Sequence, residues 1–253
     1  MVFDAIVLAG GRSSRLSGTP KAELVYRRQT LVARTVDAAS RARRVVVVGD
    51  VAVGDVVVGD VVVGDVVTHA ATEPLFGRVL LTQEDPPFGG PAAGIAAGAM
   101  MLAANGSTAD GPAANGPAAD GLVASEFTMV LACDMPDVDA AVPILLDALL
   151  AALSLEPGTD GVIAIDAELH PQPLAALYRT AKLGEALSRH RRSGTLDGLS
   201  ARTLISALQL VPVPVPIGST DDVDTWADAA KYGIREPSLT PAQPLTPTPE
   251  GSP

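Results

Sequence analysis

The segment of this chain best suited to chemistry is Leu8-Ala9-Gly10-Gly11-Arg12-Ser13-Ser14-Arg15-Leu16, followed by Lys21. An apolar run, Val2–Ala9, leads straight into two glycines. Glycine lets the backbone approach a phosphate closely and aim several N–H groups at it. Arg15 and Lys21 then supply the cations that clamp a triphosphate. The plainer reading is a Gly-rich turn carrying two exposed cations, and a bare Gly-Gly pair would favour it. The spacing is neither G-x-x-x-x-G-K-[ST] nor G-x-G-x-x-G, so a P-loop and a dinucleotide fingerprint are both excluded. A second candidate is Leu131-Ala132-Cys133-Asp134-Met135-Pro136. It places an acid at the carboxyl end of a strand, where α/β sheets bind ligands. The competing role for Asp134 or Asp137 is to cap the helix that follows. Cys133 reads as a small buried side chain rather than a nucleophile, because no His stands in a catalytic arrangement with it.

The pattern L-A-G-G-x-x-x-R-[LM]-x(4,5)-K resembles that of the MobA-like NTP transferase family, which includes molybdenum cofactor guanylyltransferase. The resemblance runs from about Phe3 to Tyr232, with two interruptions. It implies a Rossmann-like three-layer α/β/α nucleotidyltransferase fold with a mainly parallel sheet. It also implies transfer of GMP from GTP to molybdenum-molybdopterin, forming the guanine dinucleotide cofactor and pyrophosphate. A phosphate nucleophile is already anionic at pH 7, so alignment and charge neutralisation carry the catalysis. Leu8, Ala9, Gly10, Gly11 and Lys21 become nucleotide-binding residues, and Arg15, Lys21 and Asp134 catalytic ones. Asp134, in a segment similar to the family's C-D-x-P, is implied as the Mg2+ ligand. Glu84-Asp85 and Gly90-Pro91-Ala92-Ala93-Gly94 look like the family's E-D…G-P-L-A-G segment. Asp85 there is implied to read guanine, since a carboxylate accepts from both N1–H and the 2-amino group. His170-Pro171 resembles a segment beside the acceptor. Asp222-Val223-Asp224-Thr225 is similar to an N-x-N-T or D-x-D-T segment at the start of the last helix, making His170, Asp222 and Asp224 acceptor-binding residues. Aspartates in place of asparagines leave Asp224 either a helix cap or a second metal ligand. A family Asn at the end of the second strand has no counterpart here. The alternatives are a relative with another base or acceptor, such as a cytidylyltransferase, or a non-catalytic nucleotide-binding adaptor.

These residues need a scaffold, and the apolar runs predict one. Strands are expected at Val2–Ala9, Val45–Val48, Val79–Gln83, Phe127–Ala132, Val162–Ile165 and Leu174–Tyr178, and a Pro-interrupted edge strand at Leu210–Val215. Helices are expected at Leu31–Ala42, Pro91–Ala104, Val138–Leu153, Thr180–His190, Ser200–Leu208 and Asp222–Tyr232. Short apolar strands alternating with helices imply a parallel sheet covered on both faces. A V-x-V-G-D repeat fills Val46–Asp65. Its first unit ends the second strand, and the others read as strands and turns added at the sheet edge. Calcium-binding repeats carry denser Gly and Asp, in units of nine. Residues 1–235 form the expected domain, with insertions at about 50–66 and 104–122. A disordered Pro/Thr-rich tail is expected over 236–253.

The formal net charge of −11 repels a phosphate backbone, so nucleic acid is excluded as a partner, while small anions are not. Aromatics are only 3% of residues, which leaves the core to Val, Leu, Ile and Ala. The single cysteine excludes an internal disulfide and a Cys-built zinc site. The first residues lack a basic leader region, and no apolar run is expected to reach the roughly 20 residues that span a bilayer. The expectation is a cytoplasmic enzyme whose partners are GTP, molybdopterin and, transiently, molybdoenzyme maturation proteins.

Overall fold

The computed structural model describes residues 1–11, 14–50, 56–58, 61–63, 78–104 and 125–235. Arg12, Ser13, most of the repeat, nearly all of the second insertion and the 236–253 tail lie outside the described residues.

The chain begins with β1 (Phe3–Leu8), two single 3-10 turns, and a hairpin of β2 (Val25–Tyr26) and β3 (Gln29–Thr30). There follow α1 (Leu31–Ala38), β4 (Arg44–Val48), β5 (Val56–Val58), β6 (Val61–Val63), β7 (Arg78–Thr82) and α2 (Pro91–Ala104). The second half comprises β8 (Phe127–Ala132), α3 (Val142–Leu155), β9 (Gly161–Ile165), β10 (Pro171–Arg179), α4 (Thr180–Arg192), α5 (Ala201–Leu204), β11 (Leu210–Pro214) and α6 (Trp226–Lys231). Seven strands form one sheet in the order β11-β9-β10-β8-β1-β4-β7. Every pairing is parallel except those made by β10.

Alternation along the strands builds two cores. Ala5, Val7, Val45, Val47, Met129 and Leu131 point to one face, under Val32 and Val36 of α1 and Leu145 and Leu149 of α3. Ile6, Val46, Val48, Val130, Ile163 and Ala176 point to the other, under Ile95 of α2, Leu183 and Leu187 of α4 and Leu204 of α5. Because both faces are covered, β1, β4 and β8 read as unbroken apolar runs rather than alternating ones.

Several expectations are corrected. Of the described repeat residues beyond the first unit, Val56–Val58 and Val61–Val63 pair antiparallel in a sheet of their own. They do not extend the main sheet, whose edge beside β4 is β7. The last helix starts at Trp226, not Asp222, because Thr225 caps it. Its hydroxyl accepts from the Asp228 N–H at 3.2 Å, and the Asp228 carboxylate accepts from the Thr225 N–H at 3.0 Å. Val138–Leu155 is also long and apolar enough to cross a membrane by composition. Here Leu145, Leu146 and Leu149 spend its inward face on the sheet.

Candidate functional site

The site lies where β1, β4 and β8 end side by side. Backbone bonds fasten the three ends, Ala9 N–H to the Val48 carbonyl at 2.8 Å and Cys133 N–H to the Leu8 carbonyl at 2.9 Å, and Gly49 N–H ties β4 to the Thr82 carbonyl at the end of β7 at 2.9 Å. Gly49 is obligatory at this point. With φ at 147°, a Cβ there would lie 2.7 Å from Ala9 C and Gly10 N. Among the described residues nothing lies within 4 Å of the Cβ position of Gly11, so the backbone is open to them on that side. Leu16, the apolar residue of the Arg15-Leu16 pair, is fully buried among Leu24, Leu31, Val223 and Ala229. That small third core sews the glycine-rich segment to α6, and it leaves the neighbouring Arg15 side chain 73% exposed.

Lys21 is the hub. Its Nζ donates to Asp134 Oδ2 at 2.8 Å and also to the Asp224 carboxylate. Arg15 Nη1 lies 3.8 Å from the other Asp224 oxygen. Burial by itself disfavours the Lys21 ammonium, but Asp134 and Asp224 outweigh it and hold the pKa above the ordinary lysine value. The Val223 N–H donates to the Asp134 carbonyl at 2.9 Å, which docks the 222–224 loop onto the end of β8. Oxygens of Asp134, Asp222 and Asp224 therefore come within 4.8 Å of one another. Burial, with Asp224 and Asp134 nearby, raises the Asp222 pKa. None of these carboxylates is used as a helix cap. Thr225 and Asp228 cap α6, and Asp137, which opens the 3-10 turn after β8, caps nothing with its side chain.

The segment after Asp134 has its own clamp, which sequence reasoning missed. Arg34 Nε of α1 donates to the Pro136 carbonyl at 3.0 Å, and Nη2 reaches Asp139 at 3.3 Å and Asp137 at 3.7 Å. Its guanidinium lies 4.9 Å from the Tyr26 ring centroid, and the Tyr26 hydroxyl is 3.5 Å from Asp137 Oδ2. Glu84 was also missed. It is half-buried, accepts from the Phe88 N–H at 3.1 Å, and lies 3.7 Å from the Cβ position of Gly10. Its neighbour Asp85 is exposed. The E-D pair is visible in sequence, but which acid faces the loop is decided by the turn. His170 stands apart from the lysine-carboxylate group. It lies in the β9–β10 turn, with its ring 3.5 Å from the carboxylates of Asp166 and Glu168. Cys133 is buried, and burial pushes its thiol pKa up, with Asp134 adding to the effect.

A glycine backbone open at Gly11, two cations and three clustered carboxylates at the carboxyl end of one sheet are suited to binding a polyphosphate with a hard cation. The sequence matches the MobA-like NTP transferase domain family over residues 5–210. No curated protein sequence matches it significantly. Among solved structures, molybdopterin-guanine dinucleotide biosynthesis protein A from Archaeoglobus fulgidus is similar, with a TM-score of 0.55 at 19% identity, covering 90% of this chain and 96% of that one. The 2-C-methyl-D-erythritol 4-phosphate cytidylyltransferase of Francisella tularensis has a TM-score of 0.56 at 9% identity, covering 92% and 98%. The 4-diphosphocytidyl-2C-methyl-D-erythritol synthase of Anaerococcus prevotii has a TM-score of 0.55 at 13% identity, covering 91% and 94%. At these identities the likeness shows the fold.

Proposed function

The chain belongs to the MobA-like NTP transferase family, and on that premise we propose that it transfers GMP from GTP to molybdenum-molybdopterin, releasing pyrophosphate. The observation that carries this reading is the convergence of Lys21 and Arg15 on the Asp134 and Asp224 carboxylates beside the Gly10–Gly11 segment, which is open at Gly11. The N–H groups of this loop hold the triphosphate. Arg15 and Lys21 neutralise charge as it develops on the leaving pyrophosphate. The attacking group is a phosphate, anionic at neutral pH, so the site needs no strong general base. That fits a cluster whose less exposed cation is a lysine held protonated. The all-oxygen donor set of Asp134, Asp222 and Asp224 fits Mg2+. These residues would hold it, and it would supply further charge neutralisation on the triphosphate. In this reading Asp85, with Glu84 beside it, faces the base, and His170 lies toward the acceptor.

A second reading, a nucleotidyltransferase with another base or acceptor, is favoured by the aspartates at 222 and 224, where the family's guanylyltransferase pattern carries asparagines. Two of the similar folds also belong to proteins named for cytidylyl transfer or its product. The test is magnesium-dependent pyrophosphate release with GTP, CTP, ATP and UTP, each with and without molybdenum-loaded molybdopterin. Release confined to GTP and dependent on the pterin supports the first reading. Release with CTP, or with no dependence on the pterin, supports the second.

A further inference from the structure

The two cations of the glycine-rich segment converge on one carboxylate that lies 203 positions from Lys21 in the chain. Lys21 pairs with Asp134 and Asp224 together, while Arg15 approaches the second oxygen of Asp224 at 3.8 Å. The Lys21 side chain is 18% exposed and Asp224 43%. Asp224 is released from any capping duty by Thr225 and Asp228. It therefore does for Arg15 and Lys21 what a phosphate oxygen would do, and an ammonium cannot serve both anions fully at once. The same ammonium also occupies carboxylate oxygens that would otherwise be open to a hard cation.

We propose that Asp224 is a positioning residue that holds Arg15 and Lys21 as an internal stand-in for phosphate and surrenders both cations to the triphosphate. Their departure frees the Asp134 and Asp224 oxygens, so nucleotide binding and cation binding at this end of the sheet are coupled through Lys21. Such coupling is reciprocal by necessity. It gives Asp224 opposite effects on two ligands, which a purely structural carboxylate does not have. The inference rests on the reading that the triphosphate lies against Gly10–Gly11.

The test measures binding without turnover. GTP and, separately, inorganic tripolyphosphate are titrated in EDTA into the wild-type protein, Asp224→Asn and Lys21→Met, and Mn2+ is titrated alone into the same three. Asp224→Asn is expected to bind both metal-free anions about 3-fold more tightly than wild type, the size of one part-exposed ion pair, and to bind Mn2+ more weakly. Lys21→Met is expected to bind the anions more weakly and Mn2+ alone about 10-fold more tightly. Asp224→Ser gives the same comparison should the amide variant fail to fold. Unchanged or weaker anion binding in the Asp224 variants overturns the inference, even if wild type turns over GTP normally. An Asp224 gain seen with tripolyphosphate but no binding of GTP keeps the inference and removes guanine as the base. Binding of neither anion to wild type overturns both.

Discussion

Lys21 and Asp134 are the residues on which the proposed chemistry depends most directly, and they are already paired at 2.8 Å. Lys21→Ala and Asp134→Ala are each expected to lower turnover by at least ~100-fold, comparable to removing one preorganised electrostatic donor. Pyrophosphate release by the purified variants checks this, and near-normal turnover in either one removes that residue from the mechanism. Cys133, adjacent to Asp134, behaves oppositely. Burial pushes its thiol pKa up, and no nucleophilic role falls to it. Cys133→Ala is expected to keep turnover within about 3-fold. Iodoacetamide at pH 8 should leave the folded protein unmodified by intact mass, and rapid alkylation would contradict the buried placement. Lys21, Asp134 and the glycines were legible because their types and spacing are local. Arg34, Glu84 and Gly49 were not, because their roles arise only when segments distant in sequence meet. Gly49 was hidden further by sitting inside a repeat, where every unit offers the same glycine.

At the scale of elements, the strands were legible because a sheet buried on both faces leaves continuous apolar runs in β1, β4 and β8. Helix ends were less so. α1 stops at Ala38 rather than Ala42, and α5 covers only Ala201–Leu204 of the expected Ser200–Leu208. Those limits are set by turns and caps rather than by periodicity. α2 shows what the small-residue pattern achieves. A Cβ on Gly98 would meet Ile6 Cγ2 at 2.7 Å, and one on Gly94 would meet Leu8 Cδ2 at 3.1 Å. The helix thus lies close against β1, the strand that delivers the glycine-rich loop. Alanine has the better helix propensity, yet Gly98→Ala is expected to destabilise by about 1–3 kcal/mol, because Ile6 is fully buried and has nowhere to move. Urea titration decides the sign. A stabilised variant would mean that the helix can lift without penalty. Gly49→Ala, by contrast, is strained at φ 147° and pushes directly on the Ala9 and Gly10 backbone, so urea titration is expected to show a larger loss of stability than for Gly98→Ala.

Across the whole molecule, the two ends of the sheet carry different kinds of charge. At the amino end of β1, Asp4 is 2% exposed and Arg44 4%. Asp4 accepts from Arg44 at 2.6 Å and from Arg43 at 2.9 Å, and Arg44 also donates to the Leu102 carbonyl of α2. Burial alone would raise the Asp4 pKa, but the two guanidinium groups outweigh it and bring it below the ordinary 3.8. Stability from this cluster is therefore complete above that value and is lost as pH falls through the lower, folded value. Asp4→Ala should cost about 3 kcal/mol near neutrality, and the gap in melting temperature from wild type should shrink on acidification from about pH 5 to about pH 2. A gap independent of pH would mean that the loss is one of packing. Beyond its first unit, which ends β4, the repeat joins neither end of the sheet. The strands of the later units, β5 and β6, pair with each other, while β4 pairs directly with β7. Deleting Val51–Asp65 keeps Gly49 and leaves Val66–Gly77 to join β4 to β7. That is about the dozen residues a parallel crossover needs. Loop length changes closure entropy only slowly, so the seven-stranded sheet and the Lys21–Asp134–Asp224 group should survive the deletion. Turnover within about 3-fold of wild type is expected, with an unchanged melting profile. Loss of activity with the fold intact would assign the Val-Gly-Asp units a part in substrate handling that the Lys21–Asp134–Asp224 group alone does not require.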